Sequence, residues 1–287
     1  VTWRVLALCP LPAQALQGFV PAGAEIVPLE ARTPAAFHAA LADAEIVVGD
    51  WSYQLRMDAE AIAAAPHLAF IQHPSVGYDS TDLDVATSAG IAVANTPGAN
   101  ARSVAEWCVL TALALRRRLP DNFARLADGG WPQGDLGARE ISGAKIGILG
   151  MGAIGTLAAE LFTAFGADVA YWSRTRKELP YRWVETPREL ASTADILISL
   201  LPGGAATRHL VDAELLAAMP GSAYLISAGR GSVVDEQALV EALQRKGIAG
   251  AGLDVFETEP LPRSSPLWTM PGVFITSHNA GASREAA

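Results

Sequence analysis

Arg230, Glu259 and His278 are far apart in the chain, yet each comes just after a short apolar run: AYLISAG before Arg230, AGLDVF before Glu259 and VFITS before His278. If those runs are parallel strands, all three residues fall on the carboxyl edge of one sheet, where ligands of open α/β sheets sit. A guanidinium there can hold a carboxylate and a neighbouring carbonyl oxygen in a planar, two-pronged grip that an ammonium cannot match. An imidazolium can donate a proton near neutral pH. A carboxylate beside it favours its charged form. Taken singly, each has a plainer reading: Arg230 as a solvated turn residue between two glycines, Glu259 as a loop acid with Glu257 competing for its role, and His278 as a partly buried core histidine.

What must position them begins at Lys145. The stretch KIGILGMGAIG runs an apolar segment into Gly150-x-Gly152-x-x-Gly155, and the helical pattern AIGTLAAELFTAFG follows at once. In a chain with 26 glycines the bare pattern is weak, and the strand before it with the helix after it makes it a dinucleotide fingerprint. Gly150 turns the chain off the strand, Gly152 lets the backbone meet a pyrophosphate, and Gly155 lets helix and strand pack closely. Met151, Ala153 and Ile154 fill the loop, and the phosphates face a helix N-terminus. The next strand, DVAYWS, ends in Ser173-Arg174-Thr175-Arg176-Lys177, with no carboxylate to hold a ribose 2′-hydroxyl. Hydroxyls and guanidinium groups suit a 2′-phosphate, so NADP(H) is the expected cofactor and NAD(H) the alternative. With a nicotinamide supplying hydride, the three strand-end residues fit reduction of a 2-keto acid.

At 287 residues the chain fits two α/β domains. Apolar runs alternate with helical patterns: RVLALC, EIVPL, EIVVGD, LAFIQ and IAVAN come first, then KIGILG, DVAYWS, DILISLL, AYLISA, AGLDV and VFITS. That alternation predicts two Rossmann-like or flavodoxin-like domains with parallel sheets and a cleft between them. Residues 1–95 with 279–287 are expected to form the substrate-binding domain, and 96–278 the dinucleotide domain. Ser103 to Trp131 reads as long helical structure, with Val109, Leu110, Leu113 and Ala114 as its apolar face and Arg116 to Arg118 as a solvated end. The charge of -9 and the lack of a basic cluster argue against nucleic acid and anionic membranes as partners. Cys9 and Cys108 lie in apolar runs with no disulfide or metal spacing, so a reducing cytoplasm is expected. The N-terminal apolar run is strand-length and reads as neither signal peptide nor membrane span.

The motifs GMGAIG, NTPGANARSVAE, SAGRGSVVDEQALVEAL, GLDVFETEPL and SHNAGAS together resemble the D-2-hydroxyacid dehydrogenase family over almost the whole length. The resemblance implies that Arg230, Glu259 and His278 form the catalytic set, selecting Glu259 over Glu257. It puts the backbone of Val76 and Gly77, in SVGYD, at a substrate carboxylate and Asp254 near the nicotinamide amide. It also implies cofactor contacts at Leu201 and Pro202 and at Ala228. Asn100 falls where formate-oxidising relatives carry an active-site asparagine, but Glu259 replaces their glutamine, which speaks against formate. The strand end WSRTRK is similar to that of NADPH-dependent glyoxylate and hydroxypyruvate reductases, and a homodimer is expected with the basic helix as its arm. Trp51 is read either as the wall of a small substrate pocket or as a packing residue. Alternatives are an NAD-linked dehydrogenase of a larger keto acid, a dinucleotide-sensing interaction protein like the corepressors that resemble this family, and an NAD-dependent hydrolase of the adenosylhomocysteine type. Family members usually continue past the histidine motif with a segment that returns to the first domain; this sequence ends at Ala287.

Overall fold

A Cβ added at Gly155 would lie 2.2 Å from the carbonyl oxygen of Gly150, so only glycine lets the fingerprint helix sit this close to its loop. The structure, a computed structural model, describes residues 2–9, 12–20, 22–52, 54–134 and 137–286. It divides into two compact units, residues 1–99 and 100–287. The expected boundary at 95/96 therefore lies four residues early. The segment 279–287, expected in the first domain, belongs to the second unit. The backbone N–H groups of Asn279 and Ala280 donate to Asp254, and the Ser283 hydroxyl pairs with that of Ser103 at 2.7 Å.

In the first unit β1 (Arg4–Ala7), β2 (Glu25–Pro28), β3 (Ile46–Val48), β4 (Phe70–Gln72) and β5 (Ala92–Ala94) form a parallel sheet in the order β2-β1-β3-β4-β5. Helices α1 (Ala13–Leu16), α2 (Pro34–Leu41), α3 (Ala59–Ala63) and α4 (Leu83–Ser88) connect them. This is the flavodoxin-like order, with its switch point between β1 and β3. Asp50, just past β3, is buried there and accepts from Arg32, from Ser52 and from the N–H groups of Gln54 and Leu55. Trp51 packs on the small core of Val5, Ala7, Cys9 and Val48, the contact that its packing reading requires.

The second unit opens with α5 (Ala101–Arg116) and α6 (Leu119–Ala127). Its sheet holds β6 (Lys145–Leu149), β7 (Asp168–Trp172), β8 (Arg182–Trp183), β9 (Ile196–Ser199), β10 (Tyr224–Ser227), β11 (Gly250–Leu253) and β12 (Val273–Ile275). The order is β12-β11-β10-β9-β6-β7-β8, and every pairing is parallel. The order reverses between β6 and β9, so that is where a dinucleotide fold opens its crevice. Helices α7 (Ala153–Ala164), α8 (Pro187–Thr193), α9 (Ala213–Ala218) and α10 (Glu236–Gln244) complete it. Alternate residues of the strands feed two cores, Leu197, Leu225 and Leu253 on one face and Ile196, Ile198 and Ile226 on the other. That period of two, apolar on both sides, is why these strands read as continuous hydrophobic runs.

The long helix expected over Ser103 to Trp131 is two helices. Arg118 takes a left-handed φ of 54°, and Pro120 then sits in the first turn of α6, where its missing N–H costs no hydrogen bond. Two expectations for this region are corrected. Leu110, placed on the apolar face, is 55% exposed, whereas Arg116, placed at a solvated end, is buried and donates through Nε and Nη2 to the carbonyl of Glu140. The helix α5 lies over β11, and a Cβ on Gly252 would meet the Thr111 methyl at 2.1 Å. Cys9 and Cys108 are both buried.

Candidate active site

Because all strands of the second unit run parallel, the residues that follow them share one edge of its sheet. Gly150 follows β6, Ser173 follows β7, Leu201 lies past β9, Ala228 follows β10, Asp254 follows β11 and His278 lies past β12. On this edge the Nδ1 of His278 is 2.7 Å from Oε2 of Glu259. The other carboxylate oxygen of Glu259 accepts the backbone N–H of Phe256 at 2.9 Å. Both side chains are about a third open to solvent, at 31% and 29%. Burial pushes the Glu259 carboxyl up, but the hydrogen bond and charge of His278, the Phe256 N–H and the charge of Arg230 together outweigh it and hold the group below its ordinary value. Glu259 is therefore an anion at neutral pH. Nδ1 faces Glu259, and Nε2 is the second ring nitrogen of this imidazole.

His278 owes its place to Asp254. This buried carboxylate accepts from the Thr276 hydroxyl and from the N–H groups of Asn279 and Ala280, while its backbone carbonyl accepts the His278 N–H at 2.8 Å. The bonds grip residues on both sides of His278, which itself adopts a left-handed φ of 53°. Both Asp254 oxygens are thus already committed within the unit.

Arg230 is held by its flanking glycines. A Cβ on Gly229 would lie 2.4 Å from the Leu201 carbonyl oxygen, and one on Gly231 would lie 1.9 Å from that of Phe256. The GRG segment is thereby wedged between the loops after β9 and β11. The Arg230 Nη1 donates to its neighbour Gly229 at 2.9 Å, and its charge reaches Glu259. Arg230, Glu259 and His278 are brought together, and Glu257 points elsewhere, its carboxylate paired with His209. His209, on the loop after β9, was not singled out from sequence. The only signal was a histidine within a dozen residues of a strand end.

The dinucleotide loop has the features that the fingerprint requires. Gly150 has a φ of 102° and Gly152 has open space where a Cβ would be. No side chain caps the N-terminus of α7, so its first N–H groups face outward for an anion. Met151 is buried in the core and Ile154 packs against it, so these two have only backbone to offer a ligand. At the end of β7, the Ser173 hydroxyl donates to the Thr175 carbonyl at 2.7 Å and the Tyr171 hydroxyl ties Lys177 back to the strand. That fixes the turn and leaves Arg174 and Thr175 exposed, with Arg174 in no ion pair with a described residue. The residues present fit a dinucleotide: Gly150 to Gly155 could hold its pyrophosphate and Ser173 to Thr175 its ribose.

The remaining expected residues are placed as follows. Leu201 and Ala228 are nearly buried, and Pro202 accepts the Thr207 hydroxyl. Asn100 precedes α5 and packs on Gly281, where a Cβ would lie 2.4 Å from its Nδ2; its Oδ1 is buried with no partner among the described residues. In the first unit, the Val76 carbonyl accepts from Asn95 and the Gly77 carbonyl from the Ser75 hydroxyl, which leaves both backbone N–H groups out of these bonds. Among the described residues no group of His, Cys, Asp and Glu could hold a metal ion, and no helix is long and apolar enough to cross a membrane.

Residues 109–280 match the family model of the D-isomer specific 2-hydroxyacid dehydrogenase NAD binding domain, and residues 5–119 match that of the catalytic domain of the same family. The chain belongs to the D-isomer specific 2-hydroxyacid dehydrogenases. It is 40% identical over 245 residues to a glyoxylate reductase of Aeropyrum pernix, which covers 80% of this chain and 72% of that protein. It is also 40% identical over 205 residues to a glyoxylate/hydroxypyruvate reductase of Arabidopsis thaliana, covering 71% and 66%. Among solved structures, the NADPH-dependent glyoxylate/hydroxypyruvate reductase of Sinorhizobium meliloti, in complex with NADP and malonate, matches 99% of this chain and 88% of that one. The TM-score is 0.86 at 34% identity.

Proposed function

We propose that the protein reduces a small 2-keto acid of the glyoxylate or hydroxypyruvate type to the D-2-hydroxy acid, with NADPH preferred over NADH. The observation that carries this reading is the Glu259–His278 pair on the strand edge that also bears Arg230 and the dinucleotide loop. The names of the relatives supply the substrate class. Bound reduced nicotinamide supplies the hydride. Arg230 grips the substrate carboxylate and keto oxygen, drawing charge toward that oxygen as it becomes an alkoxide. His278 delivers a proton from Nε2 to the alkoxide, and Glu259, on the other ring nitrogen, orients the ring for that transfer. The test is the initial rate of NADPH and NADH consumption at matched concentrations with glyoxylate and with hydroxypyruvate. No turnover of either acid with either cofactor would sink the reading.

The preference for NADPH rests on Arg174, exposed at the end of β7 in a strand end without a carboxylate. Replacing it with alanine removes a charge-assisted contact to the 2′-phosphate, which should raise KM for NADPH roughly tenfold or more. KM for NADH should move less than about twofold. Equal losses with both cofactors would remove the phosphate role.

The proposal includes a homodimer built on α6. No residue of this helix is buried, and Phe123 (67%), Leu126 (44%) and the nearby Trp131 (77%) line one exposed apolar groove with Leu119. A two-fold pairing would cover the same stripe on both copies. Phe123→Lys should turn a dimer into a monomer by light scattering while leaving the far-ultraviolet circular dichroism unchanged. A wild-type protein that is already monomeric would refute the pairing.

A further inference from the structure

We infer that His209, through its pairing with Glu257, is a positioning residue that sets the loop carrying Glu259. The three loops that follow β9, β10 and β11 meet at this histidine. On the first side, the His209 N–H donates to the Ser232 carbonyl at 2.9 Å, and Val211 exchanges backbone bonds with Val233 and Asp235. The loop after β9 is thereby laid along the GRGSVVDE segment. On the other side, the His209 imidazole Nε2 pairs with the Glu257 carboxylate, and its Nδ1 lies 3.9 Å from Asp235. The Glu257 N–H in turn reaches the Glu236 carboxylate at 3.3 Å. Glu257 is thus held by its side chain to one loop and by its backbone to the other, two residues before Glu259.

Two features mark the arrangement as built. His209 holds a left-handed φ of 49°, a conformation a side chain other than glycine's rarely keeps unless its surroundings impose it. Two carboxylates, Asp235 and Glu257, flank the imidazole, and next to Glu257 burial together with its charge raises the Glu236 carboxyl above its ordinary value. The His209 imidazole faces Glu257 with one ring nitrogen and Asp235 with the other, which ties Glu257 to the loop after β9. Without it, Glu257 and Glu236 repel each other across the bend whose far end, Phe256 N–H to Glu259 to His278, is the proton-delivering chain. Neither His209 nor Glu257 is given a role in the transfer itself, and neither is paired with Arg230 or His278 in the bonds described. The inference rests on the reductase reading for its kinetic consequence and on geometry alone for its structural one.

The experiment compares His209→Gln, Glu257→Gln and the double variant with the wild type in two measurements. The first is steady-state kinetics with NADPH and glyoxylate. Each single change should lower kcat roughly tenfold with both KM values within about twofold, because the reacting groups are misaligned while binding is kept. The double variant should lose no more than the worse single one, since both remove the same link. The second is hydrogen–deuterium exchange, where amides of residues 255–259 should exchange faster in all three variants and those of β6 and α7 should not change. Wild-type kcat, losses that multiply in the double variant, or a rise in KM at constant kcat would each overturn the inference, as would unchanged exchange at 255–259. A wild type that fails to reduce keto acids would instead strike the functional reading, and the exchange comparison would still decide the link.

Discussion

Replacing His278 with alanine should lower kcat for keto-acid reduction by about 10²- to 10⁴-fold, the range expected when a positioned general acid is removed. The change leaves the phosphate-binding loop untouched, so dinucleotide affinity, measured by quenching of protein fluorescence, should stay within about threefold. Glu259→Gln is the informative companion. Glu259 is ionised at neutral pH because His278, the Phe256 N–H and Arg230 outweigh its burial. Its carboxylate holds the His278 Nδ1 at 2.7 Å with a charge-assisted bond, and a neutral amide makes a weaker one. Glu259→Gln should therefore lower kcat by roughly tenfold while dinucleotide affinity stays within about threefold. A wild-type kcat in Glu259→Gln would remove Glu259 from this role. The same pairing has a stability consequence with a definite sign. A carboxyl whose folded pKa lies below the ordinary 4.5 contributes stability that is fully present above that value and is lost as pH falls through the folded one. Glu259→Gln removes that contribution, so the variant should be less stable than the wild type at neutral pH and should lose less stability as the pH falls through the acid range, read by denaturant titration at several pH values.

Much of this architecture is legible in the sequence because it depends on local signals. Eleven apolar runs read as strands all contain one, since strands buried on both faces leave an unmistakable composition. The exception is β8, two residues long, which pairs only at the sheet edge and carries no pattern of its own. Arg230, Glu259 and His278 were reachable because parallel strands carry their following residues to one edge. The choice between Glu257 and Glu259 was not open to spacing, since both lie in one short bend. What tells them apart is a partner distant in sequence: Glu257 pairs with His209 and Glu259 with His278. The same is true of the break at Arg118 and of the tail after His278. Both depend on contacts that no local periodicity encodes: the buried Arg116 reaching Glu140, and Asp254 gathering Asn279 and Ala280.

Gly231→Ala should be nearly as damaging as loss of the histidine, although glycine 231 has no side chain to offer the reaction. A Cβ there would lie 1.9 Å from the Phe256 carbonyl oxygen, 2.0 Å from its carbon and 2.7 Å from the Glu257 nitrogen. All three are backbone atoms, so no rotamer change relieves the clash, and the loops must part by roughly an ångström or more. The displaced segments are the ones that matter: Arg230 is bonded directly to Gly231, and Phe256 donates the N–H that holds Glu259 against His278. A misplacement of about 1 Å in such an array can cost on the order of a hundredfold in rate. Gly231→Ala should therefore lose about that much kcat and also raise KM for the keto acid, because the Arg230 grip moves with the backbone. Gly152→Ala is the control for a glycine change on the same sheet edge. A Cβ there meets nothing within 4 Å in the protein, so the fold should be intact and the loss should fall on dinucleotide affinity. Two glycine variants with opposite kinetic signatures would separate the close packing that aligns the reacting groups from the bare backbone that admits the pyrophosphate. A Gly231→Ala protein with wild-type kcat would show that the GRG and ETEP loops can part without disturbing the Arg230, Glu259 and His278 set.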